Sequence, residues 1–80
     1  MSEPISKSAI VEFMQIKIAR QLKVDKGEVD IHLPLAKLDM DSLAVIGLCN
    51  ELGEWLNKPV KPTIAWDYPT IDKMANFLAS

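Results

Sequence analysis

The stretch Asp41-Ser42-Leu43-Ala44-Val45-Ile46-Gly47-Leu48-Cys49-Asn50-Glu51-Leu52-Gly53-Glu54-Trp55-Leu56 decides the fold class. Asp41 is a strong helix N-cap. Its carboxylate can accept from the unpaired N–H groups of the first turn, and its charge suits the positive end of the helix dipole. At about 100° per residue, Val45, Leu48, Cys49, Leu52, Trp55 and Leu56 gather on one side. Leu43, Ile46, Gly47, Asn50, Glu51 and Glu54 fall on the other. The reading is therefore a helix from Asp41 or Ser42 to about Leu56, with one core face and one surface face. Gly47 and Gly53 each cost about 1 kcal/mol of intrinsic propensity against Ala, which tertiary packing must offset.

Helical signals also flank this stretch. Residues 1–5 read as a loose end. Ser6 or Ser8 can cap a first helix that runs to about Leu22, with Val11, Ile18 and Leu22 on its stripe and Met14 and Ala19 at the edges. Residues 23–40 read as a long loop holding Gly27 and Pro34. A loop of this length is usually functional or held down by its own side chains. Val24, Val29, Ile31, Leu33, Leu35 and Leu38 are expected to plug the core. Downstream, Pro59 and Pro62 make a turn. Thr63 to Asp67 suits one short helical turn anchored by Ile64 and Trp66. Thr70 then caps a last helix, Ile71 to Ala79, with Ile71, Met74, Ala75 and Leu78 inward. No strand alternation is present. The expected fold is all-α: a small four-helix bundle of three main helices and one short helix, with a long first loop.

The totals agree. Eighty residues make one domain, 1–80, and a chain this short buries only about 60% of its unfolded surface. That leaves little room for an enclosed active site beside the core. The hydrophobic fraction of 49% and charged fraction of 25% argue against disorder. The net charge of −2 comes with no Lys/Arg run, so nucleic acid is not an expected partner. No apolar run reaches the roughly 20 residues of a membrane span, and Met1-Ser2-Glu3-Pro4 lacks the order of a signal peptide. A single cysteine cannot form an internal disulfide, which fits a reducing, cytoplasmic setting. The chain also reads as complete, starting at Met and ending just past a helix.

Ser42 is the residue of interest. Its plain reading is a second-choice cap beside Asp41; its functional reading is an attachment point at the head of a helix. Leu43 and Ile46 are two large apolar residues expected to face solvent beside it, with Gly47, Asn50, Glu51 and Glu54 further along. This suits docking of a basic partner that carries an apolar notch. Cys49 lies on the core face with no helper near it and reads as a structural thiol. His32 is alone, and a lone His makes no metal site. Trp66 and Tyr68 read as anchors of the short helix. No catalytic set or metal spacing is present.

Leu38-Asp39-Met40-Asp41-Ser42-Leu43, the helix ending Glu51-Leu52-Gly53-Glu54-Trp55-Leu56, and Pro62-Thr63-Ile64-Ala65-Trp66-Asp67-Tyr68-Pro69-Thr70-Ile71 together resemble acyl carrier proteins, above all those of polyketide synthases. The resemblance implies a four-helix fold. It implies that Ser42 receives 4′-phosphopantetheine from coenzyme A, with Asp41 and Leu43 as the recognition signature for a phosphopantetheinyl transferase. It further implies a non-catalytic, monomeric carrier of acyl or polyketide thioesters. Its partners would be an acyl-loading ligase or acyltransferase and a ketosynthase or other synthase enzymes. An acyl chain would slip between helices near Val45 and Ile64. Fatty-acid-type carriers usually have acidic residues at the positions of Ala44 and Gly47, and peptidyl carriers usually have a glycine pair where Asp39 and Met40 stand. The competing readings are an aminoacyl or peptidyl carrier, and a helical docking module never modified at Ser42.

Overall fold

In the computed structural model, which describes residues 5–79, the chain folds into four α-helices: α1 (Lys7–Leu22), α2 (Ser42–Leu56), α3 (Ile64–Asp67) and α4 (Ile71–Leu78). No strand occurs among the described residues. Local chemistry sets three of the starts. Ser6 accepts from the Ala9 N–H at 3.2 Å, Asp41 from the Ala44 N–H at 2.8 Å and Thr70 from the Lys73 N–H at 3.1 Å. Each satisfies a donor that its helix leaves unpaired. α1 and α2 both end on a left-handed residue, Lys23 and Asn57, whose N–H returns to the last turn.

α1 packs against both α2 and α4. Ile10, Met14, Ile18, Leu52, Ile71, Met74 and Cys49 are fully buried and form the core with Leu48, Ala75 and Leu78. All four inward residues expected of α4 are buried. In α1 the buried face is rotated from the expected stripe toward Ile10 and Met14, so Val11 and Leu22 are only half-buried. The cause is that α1 is covered on two sides, which widens and shifts its inner face. Ile5, expected in a loose end, packs against the core; residues 1–4 lie outside the described residues.

The long loop carries two short 3-10 turns, Lys26–Glu28 and Leu35–Leu38. Backbone bonds tack it down. The Leu35 N–H donates to the Pro69 carbonyl at 2.9 Å, and the Asp72 N–H to the Ile31 carbonyl at 3.0 Å. The Gln15 amide donates to the Val29 carbonyl at 3.1 Å. Val29, Leu35 and Leu38 plug the core as expected, but Val24 and Leu33 are exposed and Ile31 is half-buried. A loop held by backbone pairing presents alternate residues outward, so not every apolar side chain can turn in.

Two aromatic expectations fail. Trp55 sits at the edge of the α2 core face and is partly exposed, its ring stacked on Phe13 of α1 at 4.3 Å. Trp66 does not anchor α3; it is 74% exposed. Ile64 does the anchoring, and a residue two positions on points about 200° away. Tyr68 is half-buried and stacks on Phe77 at 4.5 Å.

Candidate functional site

Burial alternates along the approach to Ser42. Leu38 is buried, Asp39 exposed, Met40 buried, and Asp41, Ser42 and Leu43 exposed. Asp39 adopts the left-handed conformation at φ 59°, which ends the preceding 3-10 turn and reverses the chain. Leu38 and Met40 thus pin the segment to the core, and Ser42 emerges as the first residue of α2. The Asp41 carboxylate is committed to the cap. The first-turn N–H groups and the dipole make this helix end favourable for an anion.

An open apolar groove of about 350 Å³ begins at Ser42. One wall is Val45 and Ile46 of α2, a second is Pro34, Leu35 and Ala36 of the loop, and the third is Pro62, Ala65, Trp66 and Pro69 around α3. Asp41 is its one charged lining residue. Val45, expected in the core, is half-buried because it faces this groove. Ile64 does not line it; it is buried, so the expected Val45–Ile64 passage is displaced outward to Ala65 and Trp66.

The surface face of α2 stands as expected. Leu43 is 80% and Ile46 40% exposed, and Gly47, Asn50, Glu51 and Glu54 are exposed too. Glu51, however, already faces Lys17 of α1 at 3.8 Å. The pair flanks a smaller cleft of about 140 Å³ whose floor includes Ala44 and Gly47. Asp41, Ser42, Leu43 and Ile46 therefore form one cluster, while Glu51 and Glu54 lie further along the helix. Trp66 is the residue that sequence reasoning missed. Sequence periodicity could not have found it: α3 is a single turn, and packing gives its one inward place to Ile64.

Cys49 lies within the core, and burial pushes its thiol above the ordinary range, which keeps it protonated and poorly nucleophilic. His32 is exposed in the loop. Among the described residues no three His, Cys, Asp or Glu side chains come together as a metal site, and no helix is long and apolar enough to cross a membrane.

A family model described as "phosphopantetheine attachment site" matches residues 13–78. The chain belongs to that family. It is 31% identical over 78 residues to 6-methylsalicylic acid synthase of Penicillium expansum, a match covering 98% of this chain and 4% of the synthase. It is 42% identical over 53 residues to one polypeptide of the phenolphthiocerol/phthiocerol polyketide synthase of Mycobacterium tuberculosis, covering 66% of this chain and 3% of that one. Among solved structures it resembles an acyl carrier protein from Anabaena that has a variant phosphopantetheinylation-site sequence. The TM-score is 0.85 at 32% identity, covering 98% of this chain and 89% of that one. The all-α four-helix fold is thus that of acyl carrier proteins. Carriers of this family are non-catalytic tethers that hold 4′-phosphopantetheine covalently. The residues here fit that group: an exposed serine hydroxyl at a helix N-terminus suits a phosphodiester, and nothing buries it.

Proposed function

We propose that residues 1–80 form one carrier domain, that Ser42 is its attachment residue, and that it presents acyl or polyketide thioesters to synthase enzymes. The observation that carries this is the placement of Ser42: exposed, first in α2, and held by the buried Leu38 and Met40 on its N-terminal side. In the attachment step the Ser42 Oγ attacks the phosphorus of coenzyme A that bears pantetheine. An O–P bond forms and the pyrophosphate bond breaks. Adenosine 3′,5′-bisphosphate leaves, and the hydroxyl proton passes to a base on the transferase. The bound group supplies a terminal thiol that holds acyl cargo as an activated thioester. The tether keeps cargo at high effective concentration near each partner.

The chain's own residues set up recognition. Asp41 caps α2 and leaves Ser42 at its tip. Leu43 and Ile46 offer apolar contacts beside the serine, and Gly47, Asn50, Glu51 and Glu54 extend the face toward basic partners. A transferase, a loading ligase or acyltransferase, and a ketosynthase would use this face in turn. The free, buried thiol of Cys49 supports a reducing, cytoplasmic setting. The test is intact mass after incubation with coenzyme A, Mg²⁺ and a broad-specificity phosphopantetheinyl transferase. The expected result is a gain of one phosphopantetheine that is absent in Ser42→Ala; an unchanged mass, or a gain that survives the substitution, refutes the assignment.

A further inference from the structure

We propose that the cleft between α1 and α2 is the resting place of the arm that Ser42 carries, with Lys17 and Glu51 holding one amide of the arm over Gly47. The proposal rests on the attachment reading above and adds a site on the bundle for the arm itself.

Gly47 points to this cleft. A glycine inside a helix is costly against alanine, and α2 contains two. Packing requires one of them: a Cβ on Gly53 would stand 3.0 Å from the Lys58 carbonyl oxygen. A Cβ on Gly47 would meet nothing beyond its own helix backbone within 4 Å, and its φ is not left-handed. The fold therefore gives no reason for Gly47, and the space it keeps clear belongs to the cleft of about 140 Å³. Met40 and Ala44, two residues to either side of Ser42, line the same cleft. A group tethered at Ser42 thus samples it at high effective concentration.

Charge then selects the occupant. Lys17 Nζ on the α1 wall stands 3.8 Å from Glu51 Oε1 on α2, beyond hydrogen-bond distance. The Phe13 ring lies 5.4 Å from the ammonium and favours this position. A cation on one wall and an anion on the other suit a neutral group with an acceptor at one end and a donor at the other. An amide is such a group: its carbonyl accepts from Lys17 and its N–H donates to Glu51. A carboxylate in this place would meet Glu51, an ammonium would meet Lys17, and an alkyl group would strip water from both. The arm carries two amides, and Gln21 at the rim can donate or accept as well. The outer groove offers less. Its side chains present no acceptor beyond Asp41 and Ser42 at its head, and an amide buried without a partner is unfavourable. Size limits the fit to one amide. About 140 Å³ holds roughly ten water-sized groups, enough for an amide and its flanking methylenes but not for the whole arm. Gly47 and Glu51 also belong to the docking face, so a partner that covers them frees the arm.

The experiment uses the full chain, loaded by a phosphopantetheinyl transferase from coenzyme A whose two amides carry nitrogen-15, each product verified by intact mass. Amide proton exchange is measured at both positions of the arm and compared with the labelled coenzyme A. The expected result is that one amide exchanges several-fold more slowly on the protein, and that its proton shows nuclear Overhauser contacts to the Gly47 Hα protons. Contacts to Ala65 or Trp66 instead would place the arm in the outer groove and overturn the proposal. In Gly47→Leu, which fills the cleft and raises helix propensity, protection should disappear while far-UV circular dichroism is unchanged. In Lys17→Met, which keeps an unbranched stem and removes the charge, it should fall several-fold. Protection that persists undiminished in either variant overturns the assignment. Absence of any mass gain in the parent chain overturns the attachment reading, and this one with it. A mass gain with equal exchange on and off the protein overturns this one alone.

Discussion

Removing the cap of α2 separates the two duties assigned to Asp41. In Asp41→Ala the bond from the Ala44 N–H to the carboxylate, 2.8 Å long, is lost. An N-cap replaced by Ala costs about 1 kcal/mol, and loss of a negative charge at a helix N-terminus about 0.3–1 kcal/mol more. The sum is about 1–2 kcal/mol. A domain of 80 residues has a total stability of about 4–12 kcal/mol, so the variant stays folded but loses roughly 5–15 °C in Tm. Asp41→Asn keeps the acceptor oxygen and drops the charge, so it should lose no more than about 1 kcal/mol. Both are measured by urea unfolding followed at 222 nm, with the initial rate of phosphopantetheine transfer taken in parallel. If the carboxylate also meets the transferase, Asp41→Asn slows transfer despite near-native stability. If Asp41 is a cap alone, its transfer rate matches the parent. A stability for Asp41→Ala within about 0.3 kcal/mol of the parent would refute the capping argument, because the reasoning requires the lost bond to be felt.

Two further outcomes follow from the geometry. Asp39 holds a left-handed φ of 59°, which Asp tolerates and a β-branched residue does not, so Asp39→Val should lower stability by about 1–2 kcal/mol in the same urea assay; an unchanged stability would show that the left-handed turn is not required. Burial raises the Cys49 pKa in the folded state. Below the ordinary thiol range both states hold the proton and stability is intact. As pH rises through that range the unfolded chain ionises first, so stability falls toward alkali. Cys49→Ala should flatten this alkaline slope in urea midpoints taken from neutral to alkaline pH, and an unchanged slope would assign it to other groups.

The helix starts, the buried Leu48, Cys49 and Leu52 of α2 and the exposed residues around Ser42 were determined by the sequence itself. They rest on local rules: Asp41 and Thr70 cap because their side chains reach their own first turns, and a 15-residue helix averages its pattern over four turns. The surface position of Leu43 and Ile46 follows from the same arithmetic. Short or edge elements escape it. α3 is one turn long, with too few residues for a period to show, so only packing decided that Ile64 turns in and Trp66 out. The α1 stripe shifted because two helices cover it, a fact no single helix encodes. Val45 belongs to the core by pattern and to the groove by position, since loop residues 34–36 and α3 stop short of covering it. The exposed place of Ser42 at the head of α2 could thus be read from the chain, where its chemistry is local. The groove beside it is made by three segments far apart in sequence, brought together by backbone bonds such as Leu35 to Pro69, and only the tertiary structure could form it.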